Sequence, residues 1–318
     1  MKVWLTTAGI AVKLVRNGLR YRYLRLTGRP GRPQAISLEV THSCVCRCVM
    51  CNIWKIPRSL PDLSLEEWVS LLSEDLLSDL RELDITGGEP FLRDDLVALM
   101  EAVRTLKDTR LPRLRSVAIT TNGVLSDRVV GMVAEMLEPP ARDGLELVIV
   151  CALDAVGELH DEIRRYPGAW SRVDRSIAGL LELRDRHPNL VVGVKTTVIR
   201  QNLGELEKIA AYARERDLFT IISPAIVTPG RYLNQNRERD LTLSAAECAR
   251  LASFYEGEGG DSRWSYHGQT LARYLRTGCM DKPCTCGFNY FFVRSNGELF
   301  LCPLFEKPLG NVKDAPLA

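Results

Sequence analysis

The chain has 318 residues, 46% of them hydrophobic and 26% charged, with a formal net charge of +2. That is enough for one large domain, or for one domain and a smaller appendage, with a charged fraction ordinary for a globular protein. No apolar run reaches bilayer length, no export signal is evident, and the basic residues gather in one terminal helix without a nucleic-acid-binding motif; the expectation is a cytoplasmic protein with no nucleic-acid partner.

Residues 1–38 carry eight basic side chains (Lys2, Lys13, Arg16, Arg20, Arg22, Arg25, Arg29, Arg32) and no acidic one. Trp4, Ala8, Ala11, Val15 and Leu19 recur there at helical spacing. Such a helix either lies on an anionic membrane surface or packs its apolar face on the chain and leaves its charges in water. The run Gly28 to Pro33 ends it. Six apolar, β-rich runs follow: Ile36–Thr41, Glu82–Thr86, Ser116–Thr120, Leu145–Leu153, Val191–Val198 and Phe219–Ala225. Helical stretches separate them. Ser64 and Glu67 form a capping box, and 204–216 is amphipathic through Leu206, Ile209, Ala210 and Ala213. Strands alternating with helices predict a parallel sheet. Six units predict an α/β fold with an open, partial (β/α)6 barrel whose sites sit at the C-terminal strand ends. Past about residue 240 the alternation stops. The expected divisions are therefore 1–35 for the basic helix and loop, 36–240 for the barrel and 241–318 for a cysteine-bearing extension.

Ten cysteines are many for a chain without an export signal, and in a reducing compartment clustered cysteines are metal ligands more often than disulfides. Cys44, Cys46, Cys48 and Cys51 form one group just after the first strand; Cys279, Cys284, Cys286 and Cys302 form another. Cys44, Cys48 and Cys51 read C-x3-C-x2-C. Three thiolates on one loop can hold three irons of a cubane and leave the fourth without a protein ligand. A zinc site is the competing reading, with Cys46 or His42 as a fourth ligand; Cys46 is otherwise a bystander.

This spacing after a first strand, with Thr86-Gly87-Gly88-Glu89-Pro90 after the second and Thr121-Asn122-Gly123 after the third, resembles the radical S-adenosylmethionine (radical SAM) superfamily. Ala152-Leu153-Asp154-Ala155, followed by Arg164, is similar to a further stretch of that family in which a serine and an arginine contact S-adenosylmethionine; here Ala152 replaces the serine and Arg165 rivals Arg164. The resemblance covers about residues 36–225. It implies a [4Fe–4S] cluster on Cys44, Cys48 and Cys51 whose open iron is chelated by S-adenosylmethionine, and one-electron cleavage to a 5′-deoxyadenosyl radical that takes a hydrogen atom from a substrate. It implies an electron donor such as flavodoxin or ferredoxin. Thr86, Gly87, Gly88, Glu89, Asn122, Asp154 and Arg164 are the implied cofactor-binding residues. Lys195 joins them if it points into the barrel mouth; otherwise it is structural.

In the second group, Asn296-Gly297 between apolar runs predicts a hairpin that brings Cys284 or Cys286 near Cys302, with Cys279 as a further ligand. The pattern resembles the start of a SPASM or twitch domain, which implies one auxiliary Fe–S cluster; four thiolates could equally hold structural zinc. The short stretch before the first strand is too small for a separate peptide-recognition domain. The expected substrate is accordingly a small molecule, sugar or lipid, dehydrogenated, epimerised or otherwise modified. The alternatives are a ribosomal-peptide maturase and, from another class, a non-catalytic Fe–S or zinc-binding protein. Lone Cys151 and Cys248 read as small buried residues. His42, His160, His187 and His267 show no pairing pattern and are expected to be structural. No catalytic acid or base is assigned.

Overall fold

Six parallel strands follow one another around an open sheet: β1 (Ala35–Thr41), β2 (Glu82–Gly87), β3 (Ser116–Thr121), β4 (Glu146–Ala152), β5 (Leu190–Val198) and β6 (Phe219–Pro224), in the order β6-β5-β4-β3-β2-β1. The structure is a computed structural model that describes residues 7–28, 31–138, 144–257, 265–280 and 284–317. Lys2, Trp4 and Arg29, named above, lie outside the described residues, as do the side chains of Ala8, Ala11 and Lys13.

The strands are apolar on one face because that face is roofed by helices. Ile36, Leu38 and Val40 of β1, Leu83 and Ile85 of β2, Val117 and Ile119 of β3 and Leu147, Ile149 and Cys151 of β4 all belong to one buried core. The helices that cover it are α2 (Leu65–Leu72), α3 (Leu96–Thr109), α4 (Ser126–Leu137), α6 (Ala169–Arg186) and α7 (Leu206–Glu215), while α5 (Glu158–Arg164) packs Ile163 in a separate cluster with Met50. They present stripes such as Leu96, Leu99, Met100 and Val103 on α3. The capping box forms as expected: Ser64 accepts from the Glu67 amide and Glu67 returns the bond. The alternate residues face the barrel interior. They are polar or small towards the C-terminal strand ends: Thr86, Thr120, Ala152, Lys195, Thr197 and Ser223. One strand period thus separates core from site.

Beyond β6 come α8 (Glu238–Leu241), α9 (Ala245–Glu256) and α10 (Ser265–Thr277), then β7 (Tyr290–Val293), β8 (Glu298–Phe300) and β9 (Gly310–Asn311). The expected hairpin is there. Phe292 pairs with Phe300 and Val293 with Leu299, and Gly297 turns at φ +91°, where an L side chain is strained. It is not a free-standing appendage, however. β7 lies parallel to β1, Ala35 to Tyr290 through Leu38 to Val293, and extends the barrel sheet. The reason is apolar: Val293 is buried in the core that Ile36 and Leu38 build, and Phe291 packs against it. The sheet therefore runs across the division expected at residue 240, and we keep the three segments as proposed divisions only.

Ahead of β1 stands α1 (Thr7–Thr27). Among the described residues, no helix is long and apolar enough to cross a membrane.

Candidate functional site

The segment 42–52 leaves β1 as an irregular loop that neighbouring elements hold by its backbone. The Arg47 amide donates to the Arg164 carbonyl (3.2 Å) and the Val49 amide to the Ile163 carbonyl (2.9 Å), so the last turn of α5 pins one side. The loop after β6 pins the other: the Asn52 amide donates to the Tyr232 carbonyl (2.8 Å), and Asn234 Nδ2 donates to the Met50 carbonyl (2.8 Å). Thr41 Oγ1 donates to Asp62 (2.5 Å). His42 also meets Asp62, at 2.9 Å, so it is paired where the sequence showed no partner.

The turn after β2 is the third support. The Gly88 amide donates to the Thr41 carbonyl and the Glu89 amide to the Ser43 carbonyl, each at 2.8 Å. A Cβ on Gly87 would stand 2.3 Å from the Thr41 oxygen, and one on Gly88 2.2 Å from the Ser43 oxygen. The glycines are needed because this turn presses on the cysteine loop, and both also line the cavity beside it.

Cys44, Cys46, Cys48 and Cys51 line one cavity of about 300 Å³ with Thr86, Gly87, Gly88, Asn122, Arg164 and Lys195. Asn122 Nδ2 donates to Cys44 Sγ (3.8 Å), and Arg164 Nη1 to Cys48 Sγ (3.7 Å). Hydrogen bonding from Cys46 pulls the Cys48 thiol down to about 7; burial opposes this and the Arg164 charge assists it. Burial pushes Cys51 up to about 12. Cys46 is 1% exposed and packs with Val124 and Ala169. Its proton is held by Cys44 first and Cys48 second, which raises its pKa.

Arg164 is buried and paired with Asp154 at 2.7 Å. Burial disfavours its charge, but Asp154 and Cys48 outweigh that and its pKa is raised. Its rival Arg165 is exposed and caps α5 in the left-handed conformation. Asp154 is 0% exposed and does not line the cavity. It receives the Thr197 amide (2.8 Å), while its own amide donates to His160 Nδ1 (3.1 Å). Burial, then Arg164, drives His160 down to about 2, so it is a neutral structural acceptor.

Glu89 also lies beneath the cavity, at 0% exposure. It accepts from Thr121 Oγ1 (2.8 Å), the Asn122 amide (2.7 Å) and the Phe91 amide (3.2 Å). It therefore positions Asn122 and does not touch the cavity itself. Burial lifts Glu89 from 4.5 to about 7, against those hydrogen bonds. With the folded pKa above the unfolded one, folding takes up a proton between these values. The stabilisation is full below pH 4.5 and lost as pH rises through 7. Denaturant melts at pH 5 and pH 7.5 are expected to show the wild type losing about 3 kcal/mol more than Glu89→Gln across that window, the variant being weaker at low pH because its amide NH2 faces another donor.

Three cations, Arg164, Lys195 and Arg231, line the cavity, and among the described residues no Asp or Glu does. Arg231 was not foreseen. Its Nη2 donates to Thr86 Oγ1 (3.0 Å) across 145 positions, and its guanidinium lies 4.9 Å from the Phe292 ring. Tyr232, Thr197 and Ser223 line the cavity too without any motif to mark them, and so does Trp54, which follows the cysteine motif in sequence. Cys151 faces the helical core, where burial raises it to about 12. Cys248 sits on α9, its thiol 3.8 Å from the Leu243 carbonyl.

In the second group, Cys284 and Cys302 both reach Cys286, whose pKa burial and these two neighbours raise to about 12. Cys279 is exposed and adds no contact to that trio. Among the described residues, no three His, Cys, Asp or Glu side chains are set to hold a single metal ion; the first cysteines ring a larger space. Soft thiols around a cavity with a cationic, acid-free wall fit a thiolate-bound iron cluster and an anionic ligand group.

The sequence profile of the radical SAM superfamily matches residues 38–213. AdoMet-dependent heme synthase of Methanosarcina barkeri is 26% identical over 305 residues, 89% of this chain and 80% of that protein. The antilisterial bacteriocin subtilosin biosynthesis protein AlbA of Bacillus subtilis is 27% identical over 285 residues, 88% of this chain but only 57% of AlbA. The fold is similar to that of Streptococcus suis SuiB bound to its precursor peptide SuiA (TM-score 0.65, 15% identity, 96% of this chain, 68% of SuiB).

Proposed function

The chain belongs to the radical SAM superfamily, an enzyme family that uses a [4Fe–4S] cluster and S-adenosylmethionine, and from that premise we propose how its own residues serve the chemistry and on what substrate. Cys44, Cys48 and Cys51 hold the cluster, and Cys46 stays a buried neighbour. When bound, the cluster supplies the electron that splits S-adenosylmethionine and releases the 5′-deoxyadenosyl radical. Asn122 and Arg164 hold the thiolate side of the loop in register, each with one hydrogen bond to a cysteine sulfur. Lys195, on the interior face of β5, lines the same cavity and would offer its ammonium to the cofactor carboxylate. The Gly87–Gly88 turn and Thr86 close the rim. Asp154 and Glu89 act one step removed, through Arg164 and Asn122.

The observation that carries this reading is the convergence of four thiols and three cations on one cavity that, among the described residues, no Asp or Glu lines. Cys284, Cys286 and Cys302 hold an auxiliary iron–sulfur cluster on the β7–β8 hairpin; Cys279 is left as a candidate fourth ligand only.

For the substrate we propose a peptide. The similarity to a bacteriocin biosynthesis protein over 88% of this chain supports it. The small-molecule, sugar or lipid substrate expected from the short stretch before β1 is the weaker reading, because the cavity wall itself is contributed after that stretch. The test is anaerobic reconstitution with iron and sulfide, reduction with dithionite, and chromatographic measurement of 5′-deoxyadenosine. A pool of synthetic peptides is then compared with a pool of sugars and lipids. Stimulation by the peptide pool supports the proposal, and stimulation by the other pool alone returns the first reading. A chain that binds zinc but assembles no cluster sinks both.

A further inference from the structure

The helix α1 is apolar on two sides. Tyr21 and Leu24 are half-buried against the body, with Tyr21 edge-on to Phe288 at 5.8 Å. Val12, Val15, Leu19, Tyr23 and Leu26 recur at i, i+3, i+7, i+11 and i+14 and so share another side. They are exposed by 62–87%. A helix that only roofed the sheet would need one apolar side, as α3 and α7 do. An exposed apolar row of this length marks a contact surface. At 100° per residue, Arg16 and Arg22 fall on either flank of the row.

A second observation lies under the barrel. Arg81 and Arg115 directly precede β2 and β3, at the end of the strands remote from the cysteines. Burial lowers the Arg81 pKa, and the repulsion of Arg115, Arg16, Arg113 and Arg20 lowers it further, so these five guanidinium groups share one neighbourhood. Arg113 has Asp79 at 3.2 Å. Among the described residues, no ion pair is formed by Arg16, Arg20, Arg81 or Arg115. Like charges gathered without counter-ions are unfavourable until an anionic surface meets them.

We propose that α1 and this arginine group together form a docking site for the surface of an anionic lipid bilayer. Val12, Val15, Leu19, Tyr23 and Leu26 enter the boundary of the acyl region, and Arg16, Arg20, Arg81 and Arg115 meet headgroup phosphates. A nucleic acid would account for the arginines but not for the apolar row. A second copy would cover the row but bring the same cations face to face. A bilayer accounts for both. Because the cavity opens at the opposite strand ends, the enzyme would be held at the membrane with its mouth free. This reading does not depend on the cluster or on the substrate.

The full chain is sedimented with vesicles of phosphatidylcholine alone and of an equal mixture of phosphatidylcholine and phosphatidylglycerol. Pelleting with the mixture only, weakening as salt rises, is expected. The Leu19→Glu plus Leu26→Glu variant is expected to stay in the supernatant with an unchanged melting temperature, since both side chains face solvent. Arg81→Gln and Arg115→Gln should each weaken partitioning about fivefold. The proposal is overturned if wild type stays in solution with both vesicles, or if the double leucine variant pellets as wild type does. It is equally overturned if the leucine changes convert a dimer to a monomer without any vesicle binding, or if duplex DNA is bound and vesicles are not.

Discussion

Cys48→Ala is expected to lose its iron–sulfur absorption and to make no detectable 5′-deoxyadenosine. Of the loop cysteines, Cys48 is the one whose thiol is brought down to about 7, by the Cys46 hydrogen bond and by Arg164 against the cost of burial, so its thiolate is the most accessible ligand near neutral pH. Removing it leaves two of the three assigned thiolates, and the remaining thiol of that wall, Cys46, is buried against Val124 and Ala169. Loss of a group one step removed from a metal already costs about 10–100-fold; loss of a ligand should exceed that. The control is Cys46→Ala. Cys46 is packed against Val124 and Ala169, so its removal opens a small cavity worth about 1 kcal/mol and should leave iron content intact. Iron counts and 5′-deoxyadenosine yields on both variants decide the matter: if Cys46→Ala loses iron and Cys48→Ala keeps it, the ligand assignment is reversed.

Arg164→Gln carries the largest expected stability loss, about 3–5 kcal/mol, or a fall of roughly 10 °C in melting temperature for a chain of this size. It leaves Asp154, fully buried, with the Thr197 amide but without the guanidinium that pairs it at 2.7 Å. Asp154 already has its pKa raised by burial, with Arg164 as the main force resisting the rise. Without Arg164 it rises further, so the folded variant prefers the protonated acid. Stability from that proton is full at low pH and is lost as pH climbs past the unfolded value, and the gap between variant and wild type should widen from pH 5 to pH 8. An apolar double variant, Arg164→Met with Asp154→Leu, separates structure from chemistry. It should recover most of the melting temperature and none of the 5′-deoxyadenosine yield, because the Cys48 contact and the cavity cation are gone. If Arg164→Gln melts as wild type does, the pair is not holding this part of the barrel.

The parts of this architecture written in local signals were legible. All six barrel strands begin and end within a residue of the apolar, β-rich runs read from the sequence. The capping box at Ser64 and Glu67 and the turn at Asn296-Gly297 are likewise short-range. The cysteine loop stands out in the sequence because Cys44, Cys48 and Cys51 fall within eight residues. What could not be seen is long-range. Arg231 reaches Thr86 from a loop without periodicity or motif. Arg164 and Arg165 differ only in which one follows the last turn of α5 inward. The motif names Glu89, but that it is buried and accepts from the Asn122 amide could not be read from it. The union of β7 with β1 had no cue at all, since each strand reads the same whether its neighbour is present or not.

That union has a consequence for the order in which the molecule is made. β1 emerges early, but the strand that covers its outer edge begins some 250 residues later. At about 5–20 residues per second the edge waits roughly 10–50 s on the ribosome. Throughout that interval β1 offers a bare ladder and a strongly apolar face to any passing strand. The cysteine loop grows from the end of this same strand. Completion of the sheet at the β1 edge, beside the cysteine loop, thus waits for the segment 290–293.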